Sequence, residues 1–256
     1  MRKFLAVVLV FLLAAPASLW AGVNVNNSAV LFSGPTVAGH FPMTVGGWIN
    51  LASVATDGDG FIASGNFDGG VGAGWTLNAT DTYNGCSGQI DFIKGATSDD
   101  FICSGVSLPL NAWIFLAAVV TSTQVRFVTI TASGTLTGTN VADTTAFTGG
   151  GTPGVTVGSS THIAANVFKL HGTVANMFIY GTAALSDTQL KALARFGPRG
   201  ISGPVTRFWP LYSAGTSFGD FSGNNTPSVQ TTLVLNSGTP LQANQCPCAD
   251  PFNWHE

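Results

Sequence analysis

The chain has 256 residues, of which 45% are hydrophobic and only 8% are charged, against ~25% charged in an average globular domain. Nine Lys and Arg stand against twelve Asp and Glu, a formal net charge of −3, and past the first three residues the basic ones form no run. Such a chain lacks the clustered positive charge that tracks a phosphate backbone, which excludes nucleic acid as a partner. Its shortage of Glu, Lys and Arg argues against a largely helical surface.

Met1-Arg2-Lys3 followed by the apolar stretch Phe4 to Ala15 has the layout of a secretory signal peptide. The apolar run is about a dozen residues, short of the ~20 that a spanning helix needs. Cleavage is expected after Ala17 or after Ala21, with residues 1–21 taken as the leader. The mature protein is then exported (secreted, cell-surface or periplasmic) and not membrane-spanning. Residues 22–239 are long enough for one undivided all-β domain of ~200–250 residues. Residues 240–256, with Pro247 and Pro251, read as an irregular tail.

In chain order, Val30 to Ser33 reads as a short strand stopped by Gly34-Pro35. Met43 to Ala52 alternates, with Met43, Val45, Ile49 and Leu51 on one face and Thr44, Trp48 and Asn50 on the other. Phe61 to Ala63, Gly74 to Ala79, Gln89 to Lys94 and Asp100 to Ile102 follow between glycine-rich turns. Ala112 to Val120 is continuously apolar, and Thr121-Ser122-Thr123 joins it to Val125 to Ile130 in the clearest hairpin. Thr131 to Gly151 reads as loop with one weak strand. Gly154 to Val157, Ile163 to Phe168 and Leu170 to Tyr180 complete the run before Ser186. There the spacing predicts the one convincing helix, Asp187 to Phe196, opened by a Ser186–Gln189 capping box and stopped by Gly197-Pro198. Thr206 to Tyr212 and Val229 to Asn236 are two more strands. About a dozen short strands and no repeat of fixed period predict an all-β fold, a jelly-roll β-sandwich of two antiparallel sheets with one short helix.

Four cysteines fit an oxidising compartment and allow three pairings. Cys86 and Cys103 flank the two strands Gln89 to Lys94 and Asp100 to Ile102, which places them opposite each other at the base of a hairpin. That pairing is favoured. Cys246-Pro247-Cys248 is too short to bridge without strain, so its two thiols are left to pair elsewhere, to join chains or to stay free.

Three segments carry a resemblance. The first is Phe41-Pro42-Met43-Thr44-Val45-Gly46-Gly47-Trp48-Ile49. The second is Asn111-Ala112-Trp113-Ile114-Phe115-Leu116-Ala117 with the later Val125-Arg126-Phe127. The third is Gly172 to Leu193. In this order they resemble the concanavalin A-like lectin/glucanase superfamily, in its laminin-G/pentraxin-like branch. Trp209-Pro210-Leu211 with Asp220 to Asn225 is similar to a strand and turn that many members carry at the start of the domain; here it follows the helix. The resemblance spans most of Ala29 to Asn236. Ile114 and Phe115 stand where the family usually has histidines, and Ala175 and Asn176 where it often has acids, so both places point to packed core rather than to a polar or metal site.

Enzymes of this fold class cleave glucans with paired carboxylates. This chain has one Glu, Glu256, and scattered Asp residues in turn contexts, which disfavours hydrolysis. Gly215-Thr216-Ser217-Phe218-Gly219 matches a Gly-x-Ser-x-Gly string without the strand and helix that the nucleophile elbow requires. Asp57-Gly58-Asp59-Gly60 with Asp68 offers hard oxygen ligands for Ca²⁺, as the resemblance implies, or else forms solvated Asp-Gly turns; Phe61 rules out an EF-hand loop. His40, His162, His171 and His255 show no ligand spacing. Trp48, Trp75, Trp113 and Trp209 either present flat faces to sugar rings or, as is commoner for aromatics, pack in the core; Trp75, among glycines and near Asn78 and Asp81, is the best candidate for an exposed one, and these three form the candidate ligand site. The expected function is a non-catalytic module binding a glycan or another surface ligand. The alternative is a self-associating surface, fibre or particle-decorating protein, a homo-oligomer favoured by low charge repulsion.

Overall fold

A computed structural model describes residues 21–25, 29–32, 37–56, 58–65, 74–81, 85–95, 100–147, 154–162, 165–167, 169–201, 205–209, 211, 233–234 and 243–245. Two antiparallel sheets carry them. The first runs β10 (Leu136–Ala142), β9 (Gln124–Thr131), β8 (Trp113–Val120), β3 (Met43–Leu51), β14 (Gly172–Tyr180), β1 (Ala21–Asn24) and β17 (Ala243–Gln245), with β15 (Arg207–Trp209) also paired to β14. The second runs β16 (Leu233–Val234), β2 (Ala29–Phe32), β11 (Val155–Val157), β4 (Asp59–Ser64), β5 (Trp75–Asp81), β6 (Gln89–Lys94) and β7 (Asp100–Cys103). A small hairpin, β12 (Ser160–His162) and β13 (Ala165–Val167), lies against β4 and β5. This is the jelly-roll sandwich expected.

The period-2 alternation decides which side chains meet. Met43, Val45, Ile49 and Leu51 of β3, with Leu116 and Ala118 of β8 and Val174 and Met177 of β14, face Phe61, Leu77, Ile90 and Phe92 of the other sheet in one inter-sheet core. The opposite set, Trp48, Phe115, Ala117, Val128, Phe178 and Tyr180, forms a second apolar cluster on the outside of the first sheet. Such a face needs a cover, and the helix α1 (Asp187–Phe196) supplies it with Leu190 and Leu193. That is why β8 reads as continuously apolar and β14 ends in the run Met177-Phe178-Ile179-Tyr180: both are buried on both faces. The capping box forms, Ser186 Oγ accepting from the Gln189 amide at 3.4 Å and Gln189 Oε1 accepting from the Ser186 amide at 2.9 Å.

Close strand approach explains the paired glycines of β3. A Cβ at Gly46 would sit 2.2 Å from the Leu116 carbonyl oxygen, and one at Gly47 2.4 Å from Met177 Sδ. Opposite Gly47 the β14 ladder shifts register between Ala175 and Phe178, and Asn176 takes φ 49°. Asn tolerates that left-handed conformation better than most residues. The segment Asn176 occupies is therefore a bulge inside the core sheet.

Two readings change. Leu136–Ala142, expected as one weak strand in a loop, pairs over seven residues with β9. None of its residues is fully buried at this sheet edge, which is why its apolar signal is faint. Ala243–Gln245, expected in an irregular tail beyond residue 239, pairs with Ala21–Val23 of β1. Main-chain bonding along an open sheet edge needs no apolar pattern. Residues 1–20, Gly215 to Gly219, Asp220 to Asn225, Cys246, Cys248 and His255 lie outside the described residues, and no helix among the described residues is long and apolar enough to cross a membrane.

Candidate functional site

Trp75 corrects the sequence expectation. It is fully buried in the inter-sheet core, stacked on Phe92 at 6.1 Å, and its Nε1 donates to the Val37 carbonyl at 2.8 Å. The flanking glycines suggested a loop, but Trp75 opens β5, with its ring on the same face as Leu77 and Ala79. It offers no face to a ligand.

Asp59 is likewise committed to the fold. Its Oδ2 accepts from the Ala55 amide and from Thr80 Oγ1, each at 2.8 Å, and its Oδ1 from the His171 amide at 2.9 Å, with His171 Nδ1 at 3.2 Å. A buried carboxylate with this many donors is a tie between β4, β5 and the start of β14. Asp57 and Asp68, its expected Ca²⁺ partners, lie outside the described residues.

Asn78 and Asp81 are found with a neighbour that sequence reading passed over. Asn78 pairs across the ladder with Asp91, and its Nδ2 donates to Asp91 Oδ2 at 3.3 Å while its Oδ1 accepts from Thr76 at 3.0 Å. A register shift after Asn78 turns the end of β5 so that Asp81, Asp91 and Cys86 bring one ligand-type atom each within 4.8 Å. Cys86 is bonded to Cys103, as expected, so its sulfur is not a thiolate ligand. The two carboxylates remain. Burial, then the charge of Asp81, pushes the Asp91 carboxyl well above the usual carboxylate range, and the Asn78 bond opposes this. Asp91 Oδ1 is buried with no hydrogen-bond partner. Hard, crowded oxygens with an orphaned acceptor fit a hard divalent cation such as Ca²⁺.

An open recess lies on the other sheet. Between α1 and the turn joining β9 to β10 is a cleft of about 440 Å³. Its floor is Trp48 and Ile130; one wall carries Thr131 and Ser133, the other Lys191 and Arg195. Trp48 is pinned by donating from Nε1 to the Ala194 carbonyl at 3.0 Å. The Thr131 and Ser133 hydroxyls are 2.8 Å apart. Lys191 and Arg195 are exposed, one helical turn apart, and form no ion pair among the described residues. Arg126, by contrast, is bound to Asp187 at the helix start; that bond holds the Asp187 carboxyl below its usual range. Among the described residues, no acidic side chain lines the cleft. Sequence reading missed this site because its parts come from three distant segments. The available signal was two cations at helical spacing in a chain nearly without charge.

A profile described as Concanavalin A-like lectin/glucanases superfamily matches residues 24–191. No curated protein matches the chain. Among solved structures it is similar to a putative carbohydrate binding protein from Bacteroides ovatus (TM-score 0.60, 15% identity), covering 90% of this chain and 61% of that one. It is also similar to the CBM40 of the Ruminococcus gnavus IT-sialidase bound to alpha2,3 sialyllactose (TM-score 0.51, 14% identity, 67% and 95% covered). A third likeness is to the heptameric SAP-like pentraxin of Limulus polyphemus (TM-score 0.51, 11% identity, 89% and 96% covered). With residues 24–191, about two thirds of the chain, matched, this protein belongs to the concanavalin A-like lectin/glucanase superfamily, in its laminin-G-like branch.

Proposed function

We propose that the protein is an exported, non-catalytic glycan-binding module that takes acidic sugars in the cleft between α1 and the β9–β10 turn. The observation that carries this reading is the exposed pair Lys191 and Arg195, neither in a close ion pair among the described residues, across an apolar floor from the Thr131 and Ser133 hydroxyls; Asp187, the acid whose charge Lys191 feels, is itself bound to Arg126. Cations suit a carboxylate or sulfate, hydroxyls suit sugar hydroxyls, and the apolar floor suits the ring's C–H face. The sialyllactose held by the Ruminococcus gnavus module supports the ligand class. The Cys86–Cys103 bond supports an oxidising compartment. The described residues of the cleft include no carboxylate pair of the kind that cleaves a glycosidic bond, which supports the non-catalytic reading.

Asp81 and Asp91 are the residues we assign to Ca²⁺, in place of Asp57, Asp59 and Asp68. An ion there would neutralise two crowded carboxylates and fix the β5–β6 end of the second sheet. Its role is structural, since the cleft belongs to the first sheet.

A single shallow site binds weakly, so the test uses immobilised protein for avidity. Sialylated, uronic-acid and sulfated glycans are expected to be retained and neutral ones not, with retention falling as salt rises. Lys191→Glu with Arg195→Glu is expected to weaken retention by about tenfold or more, a loss of ~1.4 kcal/mol. Retention of neutral glycans alone, or of none, would sink the reading.

A further inference from the structure

Lys94 takes no part in the cleft, and its surroundings are unlike those of any other basic residue described. It ends β6 opposite Trp75, so its side chain points between the sheets, and it is 0% exposed. Its Nζ donates to Asp143 Oδ2 and, at 2.5 Å, to the Thr145 carbonyl; Asp100 Oδ2 stands 3.4 Å away. The rings of Phe41 and Phe147 lie 5.5 and 5.6 Å from the nitrogen. Asp143 is almost fully buried, and its Oδ1 accepts from the Thr145 amide at 2.9 Å, which fixes the carboxyl plane. Asp100 Oδ2 is buried and has no hydrogen-bond partner.

An amine, a carboxyl in contact with it and a second carboxyl beside both, boxed by phenyl rings, are the components of an amide condensation. As an ion pair the group is costly: Lys94 and Asp143 have lost their water, and two carboxylates face one ammonium. As an amide the pair carries no charge. Condensation is unfavourable between separate molecules in water, but two groups held in contact in a dry site react at effective concentrations of roughly 10⁵–10⁸ M.

We propose that Lys94 and Asp143 join through an intramolecular isopeptide bond, with Asp100 as the proton carrier. The Lys94 ammonium passes one proton to the Asp143 carboxylate, leaving a neutral amine and a carboxylic acid. The amine's lone pair attacks Asp143 Cγ and forms the Nζ–Cγ bond. Asp100 accepts a proton from the nitrogen and delivers it to the departing oxygen. The Cγ–O bond breaks, water leaves, and Asp100 ends as it began. No electron transfer and no co-reactant are involved. Lys94 lies on the second sheet and Asp143 just past β10, the edge strand of the first. The bond therefore fastens the sheets to each other at the end of the sandwich, whereas Cys86–Cys103 closes a loop within one sheet. This inference stands apart from the glycan reading, which uses neither residue.

The test is the mass of the purified wild-type protein after disulfide reduction, which needs no variant to fold. The expected mass is one water below that calculated for the purified chain from its observed N-terminus. Fragmentation of a digest is expected to show the Lys94 and Asp143 peptides as one branched species that survives reduction. Asp100→Asn and Asp143→Ala are each expected to return the full mass. A wild-type protein of full mass would overturn the proposal, as would a water loss that maps to cyclised Asp-Gly at Asp57, Asp59 or Asp68. Persistence of the branched species in Asp100→Asn would overturn the role of Asp100.

Discussion

On the first sheet the outer face is apolar, with Phe115, Phe178 and Tyr180 packed under Leu190 and Leu193 of α1. On the second sheet the corresponding residues of β5 and β6 are Thr76, Asn78, Thr80 and Asp91, all buried. The first face holds its cover by removing hydrocarbon from water, which asks for no particular partner atom. The second must match each donor to an acceptor, and it succeeds unevenly. Asp59 is ringed by donors, whereas Asp91 retains an orphaned oxygen beside a second carboxylate. Apolar packing thus seats α1 on the first sheet without matched partner atoms and leaves a cleft beside the helix, while the polar side keeps an unmet demand that a cation can satisfy.

The largest expected effect breaks the apolar face. Phe178 stacks on Phe115 at 5.6 Å, meets Tyr180 edge-on at 5.9 Å and pairs with Phe208 of β15. Phe178→Ala is expected to cost about 3–5 kcal/mol, through lost transfer energy and the cavity left beneath α1. Chemical denaturation measures this directly. A cost below ~1 kcal/mol would mean that α1 is not held by this face.

The contrast between the faces also explains what could be read in advance. Hydrophobic period is a local signal, so the apolar run of β8, the strand of β14 and the capped helix between Ser186 and Gly197 were legible from residue order. The Cys86–Cys103 pair was legible because a hairpin brings near neighbours together. The polar side was not. Asp59 meets His171 across more than a hundred residues, and Asp91 meets Asp81 only because a register shift turns the end of β5. Trp75 misled for a related reason: glycines on both sides look like a loop, while burial of an indole is decided by the opposite sheet. The cleft needed the β9–β10 turn, α1 and Trp48 to be placed together, which no spacing within one segment discloses.

A middling effect is expected on the polar face, and pH gives it a sign. Burial raises the folded-state Asp91 carboxyl above its ordinary 3.8, so in the absence of a cation the folded state holds its proton longer than the unfolded chain. The metal-free fold is therefore favoured at acid pH and loses stability as pH climbs from about 4 through the raised value. In a chelator, Asp91→Asn is expected to remove that decline and to be more stable than wild type at neutral pH by on the order of 1 kcal/mol. Added Ca²⁺ is expected to raise the melting temperature of wild type and not of the variant. Equal responses to Ca²⁺ in both proteins would place the ion elsewhere.

The smallest expected effect tests whether the apolar face is as free of polar demand as its packing implies. Tyr180 is the exception within it: its hydroxyl is buried without a hydrogen-bond partner, and desolvation raises its ionisation. Tyr180→Phe removes the hydroxyl and keeps the ring, so no cavity opens. At neutral pH the variant is expected to match wild type or exceed it by up to ~1 kcal/mol. Above the ordinary phenol value of 10.0 the unfolded chain ionises while the folded hydroxyl does not. Wild type should then lose stability relative to the variant as pH rises further. Urea titrations at neutral and alkaline pH separate the two contributions. A variant less stable than wild type by more than ~1 kcal/mol would show that the hydroxyl stabilises the fold, and the difference between the two faces would be one of degree.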